Sequence, residues 1–137
     1  MNLKIYVRMI FTIFISLLEY LVGGFDNGIK TLLIFMFTDI ITGVMKACVG
    51  KSEKSLNGHL KSYVMWKGGI KKALIIIVIY ISNMAESLIS PDSQILRNLT
   101  VSYYIAMEAL SILENIASCG ISFPESLEKA LEQLKDQ

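Results

Sequence analysis

The sequence holds little of what enzymes and metalloproteins are built from. Its 137 residues include one histidine, two cysteines, one tryptophan and two prolines. His59 has no nucleophile matched to it and reads as a solvated loop residue. Cys48 and Cys119 lie far apart, without metal-ligand spacing, near the ends of apolar segments; both are expected to be reduced and structural. No glycine-rich phosphate-binding loop is present. These absences argue against an enzyme and leave no set of residues for a metal or a cofactor. Charge is scarce as well, at 18% of residues against about 25% in a soluble domain. A net charge of +1 offers no basic excess for nucleic acid. A clean hydrophobic span is also missing: the longest uncharged run, Ala73 to Ala85, has thirteen residues, short of the roughly 18 that mark a spanning helix.

What is present is apolar surface. Hydrophobic residues make up 53% of the chain and the mean hydropathy is +0.54, which points to a chain solvated by lipid. Four apolar stretches approach the roughly 20 residues needed to cross about 30 Å of hydrocarbon: residues 5–25, 31–49, 73–90 and 99–119. A soluble four-helix bundle can also carry apolar helices of thirteen residues. Against that, Ile75, Ile76, Ile77, Val78, Ile79, Tyr80 and Ile81 cover every face of two turns, where a soluble bundle helix would keep a polar face. The expected architecture is therefore all-α. It is an integral membrane domain over residues 1–120 with about four transmembrane helices, or three if the first lies at the interface. The start of the chain has a basic end and an apolar stretch, but Glu19 and Tyr20 stand where a cleavage site would need small residues. A retained first helix is expected.

Lysine placement suggests an orientation. Seven of the thirteen basic residues (Lys46, Lys51, Lys54, Lys61, Lys67, Lys71 and Lys72) lie from the end of the second stretch to the start of the third, which places that loop in the cytoplasm. Lys4 and Arg8 place the N-terminus there too, and four spans return the C-terminus to the same side. Asp26 and Pro91 then mark outward turns, with only Lys30 and Arg97 near them. Gly68-Gly69 reads as a turn before the third span. Lys46, Lys67, Lys71 and Lys72 read as a cytoplasmic anchor whose ammonium groups snorkel to the interface, with Tyr63 and Trp66 in an aromatic belt. Residues 121–137 form a separate cytoplasmic amphipathic helix: Ser122, Pro124 and Glu125 make a capping pattern. Leu127, Ala130, Leu131 and Leu134 make one stripe, and Glu125 can pair with Lys129. Such a helix rests on the membrane or on its own bundle, or serves as a partner surface.

Five carboxylates interrupt or border the apolar stretches: Glu19, Asp39, Glu86, Glu108 and Glu114. A charged carboxylate at mid-bilayer costs about 2.5–3.5 kcal/mol on insertion scales, so each must pair, stay protonated, sit near an interface, or face water or protein. Glu19 and Glu86 fall near outer ends, and Asp39 and Glu108 are the deep pair. Tyr104, Glu108, Ser111 and Asn115 recur on one helical face, with Glu114 beyond the centre of the same stretch. Asp39, Thr42, Gly43 and Lys46 make a similar stripe, and small neighbours permit close helix approach. These residues are candidates for helix packing, self-association or lining a pore.

Several motifs in order carry a family resemblance. Asp39-Ile40-Ile41-Thr42-Gly43 resembles the Asp-x-x-Thr-Gly signature of the toxin secretion/phage lysis holin family. Gly68-Gly69-Ile70-Lys71-Lys72 is similar to that family's Gly-Ile-x-Lys-Lys junction, and residues 108–115 are similar to its Glu-x-x-Ser-Ile-Leu-Glu-Asn segment. Gly120 and Pro124 fit the start of its cytoplasmic tail, so the likeness runs over about residues 31–135. The resemblance implies a homo-oligomer in the bacterial cytoplasmic membrane that assembles into lesions. Through these an endolysin, or in some relatives a toxin, leaves the cytosol without a stable complex. The alternatives are an ion or proton channel or transporter subunit using Asp39 and Glu108 as a relay, and a soluble helical adaptor.

Overall fold

The computed structural model describes residues 2–49 and 62–135. Among the described residues the order is α1 (Leu3–Val22), α2 (Asn27–Cys48), α3 (Ser62–Ile89), α4 (Ile95–Ser118) and α5 (Glu125–Lys135), with no strand. The β-branched run in α3 would favour a strand in water. Lipid reverses that preference, because a helix satisfies every backbone polar group within its own segment.

The α1–α2 turn is tight because glycine permits it. Gly23 (φ 76°) and Gly24 (φ 107°) take left-handed backbone conformations. Their N–H groups donate back to the carbonyls of Tyr20 (3.3 Å) and Glu19 (2.9 Å), closing α1. A Cβ on Gly23 would collide with the side chains of Asn83 and Arg97. Asp26 opens α2, its Oδ1 accepting the Ile29 N–H at 2.9 Å.

Helix α4 is the hub: α2 packs along it most extensively, α3 less so, and α1 touches mainly α3. The buried core is small, made by Val22, Ile29, Leu32, Met36, Ile79 and Val101. Most of the apolar surface faces outward instead, including Phe11, Phe14, Phe37 and Ile77, as expected of a bundle whose solvent is lipid. Three helices are long and apolar enough to cross a membrane: Leu3–Val22, Asn27–Cys48 and Met65–Ile89. The chain is an all-α membrane protein. Helix α4 is long enough as well, about 36 Å at 1.5 Å per residue, but Arg97, Glu108 and Asn115 lower its hydropathy. All three are buried against the neighbouring helices, together with Val101 and Leu110.

One expectation is corrected here. Helix α3 begins at Ser62, well before residue 73, and Gly68-Gly69 lies inside it rather than in a turn. A Cβ at either glycine would meet nothing within 4 Å, so they weaken the helix by no more than about 1 kcal/mol each, too little to end it beside so apolar a run. Helix α5 starts at Glu125, with the Pro124 carbonyl accepting the Leu127 N–H at 2.9 Å. The Glu125–Lys129 pair forms at 2.7 Å. Lys51, Lys54, His59 and Lys61, and the side chains of Tyr63, Leu131 and Leu134, lie outside the described residues.

Candidate functional site

Three helices meet at one cluster of charge. Asp39 lies just past the middle of α2 and Glu108 just past the middle of α4; Lys72 projects between them from α3. The Lys72 ammonium donates to Asp39 Oδ2 at 2.9 Å and to Glu108 Oε2 at 2.5 Å. Asn115, one face further along α4, donates to Asp39 Oδ1 at 3.1 Å and to Thr42 Oγ1 at 3.2 Å. The Thr42 hydroxyl donates to the carbonyls of Thr38 (3.0 Å) and Asp39 (3.1 Å), so it reaches Asn115 as an acceptor. Glu108, Thr42 and Asn115 are buried, and Asp39 and Lys72 nearly so. One cation between two anions leaves the fully ionised set one negative charge in excess. Each of the three charges is compensated only while α2, α3 and α4 stay together. Pulled apart in lipid they would be strongly penalised; pulled apart around water they would be solvated.

Asp39, Thr42, Glu108 and Asn115 thus come together within one chain, and Gly43 lies beside Asn115 at ordinary contact distance. Tyr104 leaves the set: it packs on the apolar core and edge-on to Tyr103, with ring centroids 5.2 Å apart. Ser111 is half-buried and Glu114 is exposed. Lys67 and Lys71 are exposed as an anchor would be, and Lys46 is half-buried. Lys72 is turned inward to the carboxylates and does not snorkel. Adjacent helical residues point about 100° apart, so Lys71 and Lys72 cannot share one face. That constraint was the available signal.

A second polar network holds the end of the bundle that carries the α1–α2 and α3–α4 turns, and sequence reasoning missed it. Arg97, expected near an outward loop, is fully buried. Its guanidinium donates to the Val22 carbonyl and to Asp26 Oδ2, both at 2.5 Å. It also donates to the Gly24 carbonyl at 2.9 Å and to Asn98 Oδ1 at 3.0 Å. Burial pushes the Asp26 carboxyl up, but the Arg97 guanidinium and the Ile29 and Gly28 N–H groups outweigh it and hold it below the usual carboxylate range. Glu86, expected at an exposed outer end, is buried instead. It crosses from α3 to accept the Leu96 and Arg97 N–H groups at 2.9 and 3.0 Å, and the Ser93 hydroxyl at 2.8 Å. It supplies the negative charge that a helix N-terminus favours. A cation in the first turn of a helix is disfavoured by the same dipole; Arg97 at that position therefore signalled a set of acceptors waiting for it.

Comparison with known proteins agrees with the membrane fold. The bacteriophage holin family matches residues 16–136. An uncharacterised protein of Clostridium perfringens (strain 13 / Type A) is 37% identical over 122 residues, covering 89% of this chain and 85% of its own length. An uncharacterised protein of Clostridium acetobutylicum is 34% identical over 87% of this chain and 90% of its own length. A probable holin of Bacillus phage phi105 is 36% identical over 93 residues, 68% of this chain and 63% of its own length. No solved structure matches. The chain belongs to the bacteriophage holin family.

Proposed function

We propose that this protein is a holin without enzymatic activity. It accumulates in the bacterial cytoplasmic membrane, associates with copies of itself and opens lesions that release an endolysin, or a toxin, from the cytosol. Membership of the holin family and the likeness to the phage phi105 probable holin support this reading. The observation that carries it is the Asp39–Lys72–Glu108 cluster. A chain serving only as an anchor has no use for three charged groups inside its bundle. Here they are closed on one another in the single chain, a state compatible with quiet accumulation, and they are ready to face water when the helices part in an assembly.

The same reading takes α4 as a fourth span, with its polar groups covered by α2 and α3. Both termini and the lysine-rich α2–α3 connection lie in the cytoplasm, with Asp26 and Arg97 at the outer face. A conducting relay through Asp39 and Glu108 is the competing use of the cluster. Induced expression beside a cytosolic endolysin separates the two. A holin gives a delayed, abrupt depolarisation followed by lysis; a channel gives graded, ion-selective conductance from the start and passes no protein. Glu108→Gln, which weakens the hold on Lys72, is expected to move the onset of lysis at equal membrane levels. Unchanged timing removes Glu108 from the mechanism.

A further inference from the structure

Helix α1 is the least covered part of the described bundle; only Val22 is buried in it. It nevertheless carries Thr12, Ser16 and Glu19 on one edge, at spacings i, i+4 and i+7. All three are exposed, with no side-chain hydrogen bond or ion pair to a described residue. Lipid cannot satisfy them. Helix α2 presents the complement. On its outer side Lys30, Ile34 and Thr38 recur at i, i+4 and i+8. Lys30 is exposed and without an ion pair among the described residues, and Thr38 lines an apolar groove between α2 and α4 with Phe35 and Ala109.

The two edges match in depth. The outer ends of α1 and α2 are tied together by the Arg97 clamp on Val22, Gly24 and Asp26, so depth along each helix counts from one plane. At 1.5 Å per residue, Glu19 and Lys30 both lie about 4.5 Å inward. Ser16 and Ile34 lie about 9–11 Å inward, and Thr12 and Thr38 about 15–17 Å. The helices run in opposite directions, so this register holds between two copies inserted the same way. We infer that α1 of one copy packs antiparallel along the outer side of α2 of the next, with Glu19 paired to Lys30, Ser16 beside Ile34 and the Thr12 hydroxyl donating to Thr38. The Thr38 oxygen is free to accept because its proton goes to the Ile34 carbonyl at 2.8 Å. The two surfaces are different patches, so the contact is heterologous: each copy keeps one surface open, and the assembly grows until a ring closes. This contact deepens the homo-oligomer reading and rests on it.

The test uses full-length chains carrying Cys48→Ser and Cys119→Ser, with wild-type lysis timing confirmed first. One chain carries Thr12→Cys and a differently tagged chain carries Thr38→Cys. Both are made together in phosphatidylethanolamine/phosphatidylglycerol vesicles and oxidised mildly. The expected result is a mixed disulfide dimer that neither chain forms alone, and none with Ile10→Cys in place of Thr12→Cys. Glu19→Lys or Lys30→Glu alone should lower its yield several-fold, and the two reversals together should restore it. A dimer from Thr12→Cys alone would replace this contact by an α1–α1 one. If no disulfide forms while an amine-reactive cross-linker still gives oligomers, the contact is wrong and the homo-oligomer stands. If that cross-linker also gives none, the oligomer reading falls with it.

Discussion

The bundle holds two buried polar networks, one at the end that carries the α1–α2 and α3–α4 turns and one near its middle, and they are built differently. In the turn network a single guanidinium is matched by neutral carbonyls and one carboxylate, and Glu86 is matched by N–H groups at a helix end. Its partners are mostly backbone atoms of a fixed turn, so it has one stable arrangement. In the central one the ammonium's partners are side chains on two other helices, two acids competing for it. A backbone-bound arginine fixes a shape. A lysine shared between carboxylates holds three helices together only as long as nothing better is offered to any of them. The turn network thus belongs to folding, and the central one is suited to a transition.

That contrast can be broken by mutation. The largest effect should come from Arg97→Met, which strands the Val22 and Gly24 carbonyls at about 1–3 kcal/mol each and leaves the exposed Asp26 without its guanidinium. The expected outcome is a fall in membrane-inserted protein by quantitative blot, and Arg97→Lys should not rescue it because an ammonium cannot reproduce the fork. Lys72→Met should cost about 2–3 kcal/mol, less because the group is not fully buried. It should leave more inserted protein than Arg97→Met and bring lysis forward at matched levels. Asn115→Leu removes hydrogen bonds to Asp39 and Thr42 at about 1–2 kcal/mol and should advance lysis less. Earlier lysis from a turn-network variant at matched levels would erase the distinction.

Acidity sharpens the comparison. The Asp26 carboxyl is held below its ordinary value, so its contribution is present above the unfolded value and lost as pH falls through the lowered one. Thermal unfolding in detergent should be insensitive to this group from pH 7 to about 4 and should weaken below that; Asp26→Asn should remove that part of the acid sensitivity. The smallest effect is expected for Gly68→Ala, which fills open space in α3 and should stabilise by no more than about 1 kcal/mol, with lysis timing unchanged.

The central network was largely legible in the sequence, and the turn network was not. Asp39, Thr42, Glu108 and Asn115 interrupt apolar helices at helical spacing, so their faces could be read before their partners were known. Lys72 was misplaced because a lysine beside Lys71, at the end of a basic stretch, looks like an interfacial anchor. Arg97 and Glu86 were hidden for a related reason: near a helix end, charge suggests solvent, and only the fold shows a turn and a helix N-terminus closing over it. The start of α3 escaped notice because Gly68-Gly69 resembles punctuation, whereas lipid makes leaving the helix costlier than keeping two glycines within it.

The most direct test follows membrane potential and endolysin release together in cells making wild-type protein or Glu108→Gln at matched membrane levels. The expected result is a silent interval, then an abrupt loss of potential with release of the endolysin, and a shifted onset in the variant. Graded conductance from the first minutes, with the endolysin retained in both, would contradict the holin mechanism and the role given to the Asp39–Lys72–Glu108 cluster.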